Sequence, residues 1–408
     1  MNNYVLNPTT DGETLIFGDS DIKNKITTKI LFKPFSDCVN EISENANDIA
    51  VVCLDTNFPF GRKIKESFLN AKKRVEQFVL SESDVSFNSI ISLAANSELL
   101  VAVGDENLFS EIRLAAEFLK IPCALVPINC RQSNILSSYS YVKSGSGIIK
   151  TKSKAAEYVV LDTEFYLSLK KQYALEAFAE TISATLDISD YKIAALKGVT
   201  VYDRKLVNFL GEGINLALNP INYDEPQTAL LIATIKLSAI KEYTPFFEFS
   251  SSEKVADYLG KIFPAPFGER KYRAFTALLP IIKIYLNSNL DSFYSIPNPT
   301  LVAREMSETL REKEYDSVKN IADIPKPDEI SAEKKLKRVI KYSFSKDIDE
   351  LIKKSENFQK TYDYFYSGRR RLSDYTPKQM KKAIKFAAYS SENNLLSMIK
   401  NEGFAELL

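Results

Sequence analysis

The sequence predicts an α/β fold, with a parallel-sheet domain at residues 1–165 and an all-helical domain at residues 166–408. Two observations lead to this prediction. Compact apolar runs alternate with helical segments in the first part of the chain, whereas helical periodicity dominates the second part. The apolar runs are also nearly continuous rather than alternating, which is typical of parallel strands in a sheet that helices cover on both faces.

Five apolar runs in the first domain are candidate strands. Each of them stops at a glycine, an aspartate or a proline, which are residue types that favour turns. The five runs are Thr14–Phe17, Ile49–Leu54, Leu99–Val103, Cys123–Val126 and Tyr158–Leu161.

The segment from about Asn107 to Lys120 has the pattern of an amphipathic helix. Apolar residues recur at helical spacing on one face, and charged residues that include Glu111 and Arg113 lie on the other. Because this helix joins two candidate strands, it is the predicted crossover of a βαβ unit. The turn Gly104–Asn107 then lies at the carboxyl end of a strand, where open α/β sheets bind their ligands.

The second domain is predicted from its helical periodicity. Strand-like runs largely vanish after about Phe165. The predicted helices are Tyr173–Leu196, Glu225–Glu242, Ser252–Ile262, Gly268–Leu286 and Thr376–Tyr389.

The composition excludes several kinds of chemistry. The 408 residues include no histidine, so histidine metal ligands, Ser-His-Asp triads and imidazole proton shuttles are excluded. The 53 basic and 53 acidic residues give a formal net charge of zero. A general nucleic-acid-binding protein usually carries a basic excess, so we expect no nucleic-acid partner.

The lack of a recognisable signal peptide and the pattern of the cysteines predict a cytoplasmic protein. The N-terminal segment lacks a basic region followed by a long apolar region, so no signal peptide is expected. The apolar stretches Thr228–Ile240 and Ala274–Tyr285 are too short to span a bilayer, which takes about 18 residues or more, and we expect no membrane partner. None of the four cysteines belongs to a CxxC pair, and buried, reduced thiols are expected.

Four segments of the chain, taken in order, resemble one known superfamily. Leu99–Cys130 has a strand, a turn, an Ala-rich helix and a second strand, and Glu176–Ala194 has the pattern of a long helix in the second domain. Weaker similarity is present at Pro266–Leu286 and Thr376–Phe404. Together these segments resemble the dehydroquinate synthase-like superfamily, which includes glycerol dehydrogenases, glycerol-1-phosphate dehydrogenases and iron-dependent alcohol dehydrogenases. The pattern is most similar to that of the glycerol-1-phosphate dehydrogenases.

This resemblance implies a Rossmann-like domain, a helical domain, and a site in the cleft between them that uses NAD(P) and a divalent metal. By position, the cofactor-binding residues would be the turn Gly104, Asp105, Glu106 and Asn107, together with Asp55 after the second strand and Asn129 in the family's Pro-Thr-Thr segment. The family's turn reads Gly-Gly-Gly-Ser, and here only the first glycine is present.

The turn Gly104–Asn107 has two interpretations. Asp105 and Glu106 place two carboxylates where phosphates would bind, and like charges about 4 Å apart repel by about 4 kcal/mol at an effective dielectric near 20. Alternatively, Asp105, Glu106 and Asn107 are favourable residues for the cap and first turn of a helix.

The substrate loop that the resemblance implies is altered as well. Where the polyol-binding members of the family have an Asp, this sequence has Ser133 or Asn134.

The metal site that the resemblance implies is also altered. The family's ligands are one Asp and two His. The Asp aligns with Glu180, one His aligns with Phe267, and the other aligns with Lys254 or Tyr258. Phenylalanine cannot bind a metal, and lysine is an unsuitable ligand. An alternative is a carboxylate-only site for Mg²⁺ or Mn²⁺, formed by Glu180 with Asp257, Glu253 or Glu269.

Three functions follow. In the first, the chain is a divergent, non-catalytic member that has lost both NAD(P) and the metal and acts as a binding or partner protein, as a homodimer or with a homologous subunit. In the second, it is an active NAD(P)-dependent alcohol or glycerol-phosphate dehydrogenase with a rebuilt, histidine-free site, whose candidate catalytic residues are Glu180 and Lys254. In the third, the resemblance is discarded and a generic α/β protein remains. The small-molecule ligand is unknown in each case.

Overall fold

We describe the fold from a computed structural model. It covers residues 12–18, 20–144, 147–167, 172–220, 225–243, 250–263, 265, 267–287, 375–391 and 394–401, with short pieces at 304–306, 308–309, 331, 334–342, 349, 352 and 360–361.

Within these residues, six parallel strands form the central sheet in the order β1-β8-β5-β4-β2-β3. The predicted fold class, a parallel sheet covered by helices, is confirmed. The runs predicted at residues 49, 99, 123 and 158 are all strands of this sheet. The strands are β1 Lys29–Leu31, β2 Asp48–Leu54, β3 Arg74–Leu80, β4 Leu99–Gly104, β5 Cys123–Pro127 and β8 Tyr158–Val160.

The centre of the sheet is dry because its strands carry apolar side chains on both faces. Val51 of β2, Val101 of β4 and Ala124 of β5 stand in register across three neighbouring strands, and all three are fully buried. The free cysteines are buried as predicted.

Two segments of the sheet domain differ from the prediction. Thr14–Phe17 was predicted as a strand, but it lies in helix α1 (Gly12–Phe17), which ends at Gly18 with a positive φ of 54°. A run of four apolar residues has too few positions to distinguish one helical turn from a strand. Strand β3 was missed because it is an edge strand, and its partly exposed residues include polar ones.

The helices of the sheet domain connect its strands. Helix α5 is the predicted crossover, and it ends at Lys120 in the left-handed conformation. Helices also join β1 to β2, β2 to β3 and β3 to β4, whereas the chain between β5 and β8 forms a loop and a hairpin. The helices are α1, α2 Phe35–Ile42, α3 Phe58–Asn70, α4 Phe87–Ala94, α5 Glu106–Leu119 and α6 Thr163–Tyr166.

Arg113 of α5 was predicted on a charged face, but the side chain is 1% exposed. A hairpin that the sequence did not predict, β6 Tyr139–Ser144 and β7 Gly147–Lys152, packs on this helix. Arg113 Nη1 and Nη2 donate to the carbonyl oxygens of Asn134 and Tyr139, at 3.2 and 3.1 Å. The guanidinium therefore fixes the chain that leads into the hairpin, and its burial lowers its pKa.

The chain forms two compact units, each interrupted in sequence. One contains Met1–Ala177 and Asn208–Pro245, and the other contains Phe178–Val207 and Phe246–Leu408. The sequence instead divides the chain once, after residue 165. The helices of the later chain are α7 Gln172–Leu196, α8 Arg204–Leu218, α9 Pro226–Tyr243, α10 Ser251–Ile262, α11 Phe267–Asn287, α12 Pro377–Tyr389 and α13 Leu395–Asn401.

Helix α9 belongs to the sheet unit because its buried hydroxyls bind the loop after β5. Thr234 Oγ1 accepts from the Gln132 amide at 3.3 Å, and Ser238 Oγ accepts from the Leu136 amide at 2.9 Å. Such bonds between residues about 100 positions apart have no local sequence signal. Over the described residues, no helix combines the length and apolar character that a membrane crossing requires.

We predict that Arg113→Ala lowers the free energy of unfolding by about 2–4 kcal/mol, because it leaves two buried carbonyls without donors and opens a cavity. Urea unfolding measures this change. Arg62→Ala is the control, because Arg62 pairs with Glu66 on an exposed helix face and should change stability by less than about 0.5 kcal/mol. Equal effects of the two substitutions would contradict the assigned role of Arg113.

Candidate functional site

The turn that the sequence singles out lies at the carboxyl end of β4, as expected. Gly104 is the last residue of β4, and α5 begins two residues later at Glu106. A Cβ atom on Gly104 would come within 2.9 Å of the Leu108 side chain, so glycine allows the first turn of α5 to pack against the strand. This is the edge of the sheet at which α/β proteins bind ligands.

Asp105 is the N-cap of α5. Its Oδ1 accepts hydrogen bonds from the amides of Asn107 and Leu108, at 3.1 and 3.3 Å. In a phosphate-binding turn, amides of this kind bind the phosphate oxygens at the positive end of the helix dipole. Here the Asp105 carboxylate accepts the hydrogen bonds of these two amides. Asn107 contributes its amide to this cap, and its side chain is exposed.

Glu106 connects the first turn of α5 to the loop after β5. Its Oε1 accepts from the Asn134 amide at 2.8 Å and from Ser133 Oγ at 3.3 Å. Arg131 lies 4.0 Å from its other oxygen and 3.1 Å from Glu176. Ser133 and Asn134, the predicted substrate-loop positions, thus donate to Glu106, which stands where the family's Gly-Gly-Gly-Ser turn has a glycine.

The other two predicted cofactor positions have local roles. Asn129 is buried, and its Oδ1 accepts from the Arg131 amide at 2.9 Å and from Gln132 Nε2 at 3.1 Å. Asp55 is exposed and accepts from the amide of Thr56 at 2.6 Å. Asn129 therefore shapes the loop after β5, and Asp55 begins the turn after β2.

A solvent-open cleft with an empty volume of about 470 Å³ lies beside the turn in the sheet unit. Three carboxylates line it, and no basic residue is among its described lining residues. The lining residues are Leu54, Glu82, Val85, Asp105, Asn107, Leu108, Glu111 and Tyr141. The charge of this cleft opposes a pyrophosphate, so the residues present do not fit the cofactor that the resemblance implies.

The helical unit contains the residues predicted for the metal. Glu180 of α7 is 1% exposed. Lys254 of α10 donates from its Nζ to the carbonyl oxygen of Ser390 at the end of α12, at 2.6 Å. This lysine satisfies a helix terminus, a structural role that its sequence context does not reveal.

Phe267, the first residue of α11, faces cations rather than a metal. Arg270 lies 5.2 Å from the centre of its ring, and Lys271 Nζ lies 5.5 Å from it. The negative face of an aromatic ring attracts such cations. The position of the family's second histidine therefore contributes no ligand atom.

Lys271 is the residue that the sequence analysis missed. Its side chain is fully buried, and its Nζ lies 3.1 Å from Glu253 Oε2. Burial by itself lowers the pKa of Lys271, but the charges of Glu253, Asp187 and Glu180 outweigh burial and raise it above the usual value. A sequence signal exists, because Lys271 shares a helix stripe with the buried Ala274 and Phe275.

Asp187 and Asp190 of α7 are both buried. Burial raises the pKa of Asp187 to about 7, although Lys271 opposes this effect. Burial raises the pKa of Asp190 to about 6, although three hydrogen bonds oppose it. Two of them come from the amides of Ser251 and Leu395, at 2.6 and 2.8 Å, and the third comes from Ser251 Oγ. Asp190 therefore connects α7 to α10 and α13.

The divalent metal that the resemblance implies does not fit this donor set. One histidine position holds Phe267 and the other holds Lys254 or Tyr258. The Lys271 ammonium, moreover, lies against the Glu253 carboxylate. The carboxylate-only alternative is not assembled either, because Lys271 engages Glu253 and Asp257 is exposed. In the part of the chain that the structure describes, no three His, Cys, Asp or Glu side chains are grouped to hold a metal ion.

Solved structures reveal the relationship of this architecture to known proteins. An iron-containing alcohol dehydrogenase from Thermococcus thioreducens matches with a TM-score of 0.57 at 13% identity, over 94% of this chain and 97% of that chain. A sulfoacetaldehyde reductase from Bifidobacterium kashiwanohense, solved with NAD⁺, gives the same four values. The chain has the fold of the iron-containing alcohol dehydrogenases.

A glycerol dehydrogenase from Schizosaccharomyces pombe also matches, with a TM-score of 0.50 at 12% identity over 92% of this chain and 91% of that chain. The predicted resemblance is thus confirmed in the fold. No protein-family model matches the sequence, and no curated protein is similar to it at a significant level. The likeness lies in the backbone architecture, and sequence similarity is low throughout.

We predict that Asp190→Asn changes the pH dependence of stability. Since the pKa of Asp190 is about 6 in the folded chain and about 4 when unfolded, only the folded state holds this proton between these values. The stability of the wild type therefore falls as pH rises from about 4 to 6, by about 2–3 kcal/mol from this group. Asp190→Asn removes that part of the slope.

Urea unfolding of both proteins at steps between pH 4 and 7 measures the difference. Asp187 remains in both proteins, so the comparison reports the group that was changed. Parallel stability curves would show that Asp190 titrates normally in the folded chain.

Proposed function

We propose that this chain is a non-catalytic protein on a dehydrogenase fold, which acts by binding a ligand or a partner and transfers no hydride. The observation that carries the proposal is the hydrogen bonding of Asp105, whose carboxylate takes two amides at the start of α5. A nucleotide would have to displace this cap and would then face the Glu106 carboxylate in the same turn.

The helical unit supports the same proposal. Metal-dependent oxidation of an alcohol needs a cation that polarises the carbinol oxygen and lowers its pKa. Lys271, the cation in the predicted region, is fully buried and paired with Glu253. Lys254 donates to a backbone carbonyl. Both lysines are thus committed to bonds within the protein.

We further propose that the protein works in the cytoplasm, as a homodimer or with a homologous subunit, and without nucleic acid or membrane as a partner. The free, buried thiols of all four cysteines support a reducing compartment. The balanced charge of the sequence supports a partner other than nucleic acid.

The alternative is an active NAD(P)-dependent alcohol or glycerol-phosphate dehydrogenase with a rebuilt site. One observation favours it, namely the cleft that remains open beside α5 at the carboxyl edge of the sheet. A cofactor bound there would have to tolerate Glu82, Asp105 and Glu111. The two functions therefore differ in whether the protein binds a nucleotide at all.

We predict that neither NAD nor NADP stabilises the protein, alone or with Zn²⁺, Fe²⁺ or Mn²⁺. A ligand present at about 100 times its Kd would add about 2.7 kcal/mol and raise the melting temperature by several degrees. We expect a change below about 1 °C in a thermal-shift series. A saturable shift with any cofactor and metal pair, together with oxidation of glycerol or glycerol phosphate, would favour the alternative.

Two variants test why the nucleotide is excluded. Asp105→Gly/Glu106→Gly restores glycines and frees the amides, so it should bind NAD more tightly than the wild type. Asp105→Asn/Glu106→Gln removes the charges but keeps acceptor oxygens beside the same amides, so we expect a smaller gain. If neither variant binds NAD more tightly than the wild type, the turn is not what excludes the nucleotide.

A further inference from the structure

We propose that two copies of this chain associate through an acidic cleft in the sheet unit of one copy and a basic helix in the helical unit of the other. The acidic cleft is the cleft beside the Gly104–Asn107 turn, and the basic helix comprises residues 334–342. We base this on the homodimer of the proposed function and name the two surfaces that meet in it.

The basic helix concentrates positive charge in a chain without net charge. Its nine residues, KKLKRVIKY, include five basic residues and no acidic one. Lys335, Arg338 and Lys341 are exposed, and none of the three forms an ion pair with a residue that the structure describes. On α3, by contrast, the exposed Arg62 and Lys63 pair with carboxylates of the chain itself. The basic helix therefore carries charge that the chain does not neutralise.

Apolar and aromatic side chains share the exposed face of the basic helix with its cations. Lys335, Val339 and Tyr342 are spaced four and three residues apart, which places them on one helix face. Tyr342 is 92% exposed and Val339 is 48% exposed, whereas Ile340, on the other side of the helix, is buried. Aromatic and arginine side chains around an apolar residue are typical of surfaces that bind another protein.

The acidic cleft complements this face in both charge and polarity. Three carboxylates and four apolar or aromatic side chains line it, namely Glu82, Asp105, Glu111, Leu54, Val85, Leu108 and Tyr141. Glu82 is exposed, and it has no hydrogen-bond or ion-pair partner among the described residues. The empty volume of about 470 Å³ is large enough for a tyrosine side chain with a lysine or arginine beside it. A cation there can also lie over the Tyr141 ring.

Charge favours a second copy as the occupant. Each copy has one surface of either sign and a formal net charge of zero, so association neutralises both surfaces at once. Two such contacts related by a two-fold axis use both surfaces of each copy and close the assembly as a dimer. The basic helix of the other copy then covers the sheet edge at which a nucleotide would bind. An unrelated acidic protein as the true partner would leave the purified chain monomeric.

Sedimentation equilibrium over a range of protein concentrations tests this contact with two charge reversals. Lys335→Glu/Arg338→Glu reverses the basic helix, and Glu82→Lys/Asp84→Lys reverses two exposed carboxylates in the loop after β3. We expect the wild type to form dimers, and each variant alone to associate at least about tenfold more weakly. An equal mixture of the two variants should restore the dimer, because opposite charges then meet at both contacts.

Arg62→Glu/Lys63→Glu is the matched control, since it makes the same change of charge on an exposed helix face of the sheet unit. It should associate as the wild type does. Tyr342→Ser should weaken association by about tenfold without a change of charge, because the aromatic part of the contact is lost. Salt raised from about 0.05 M to about 0.5 M should weaken association of the wild type. All substituted side chains are exposed, and thermal unfolding checks that each variant is folded.

Three results would overturn the inference. They are a wild type that stays monomeric at every concentration, a dimer that neither reversal weakens, and reversals that weaken the dimer without restoring it when mixed. The second result would keep the homodimer and reject the two surfaces. The thermal-shift series with NAD, NADP and metal ions tests the loss of nucleotide binding separately, whatever the oligomeric state.

Discussion

The amides at the start of a helix need acceptors, and what the carboxyl edge of the sheet can bind depends on how α5 satisfies them. Asp105 provides the acceptor from within the chain, at 3.1 and 3.3 Å from two amides. Glu106 then extends the same arrangement to the loop after β5 through Asn134. The turn thereby gains a stable cap, worth about 1 kcal/mol for a typical N-cap, and loses the open amides that bind a phosphate.

The helical unit follows the same rule with the opposite charge. Buried carboxylates need a cation, and Lys271 supplies it through its contact with Glu253. In both units, a side chain of the protein takes the place that a ligand could take. The architecture matches several solved structures at 12–14% identity, and a fold and the chemistry it carries are separable.

The sequence was informative where structure follows from local pattern. Strands β2, β4, β5 and β8, helix α5 and the position of the Gly104 turn were predicted because buried parallel strands and amphipathic helices have distinct periodicities. It was uninformative where partners are distant in sequence. Arg113 looked solvated although its acceptors lie in a loop and hairpin more than 20 residues away, and Lys254 looked like a site residue although it binds the carbonyl of Ser390. Lys271 carried a usable signal, a lone charge on an apolar helix stripe, but its acidic partners come from two other helices.

The most direct test of the central claim is a crystal structure of the wild-type protein grown with NAD⁺ and Mn²⁺, with anomalous diffraction recorded for manganese. We expect Lys271 beside Glu253, Asp105 capping α5, and no anomalous peak among Glu180, Asp187 and Glu253. A manganese peak at those carboxylates with Lys271 displaced, or a pyrophosphate bound to the amides of Asn107 and Leu108, would contradict it.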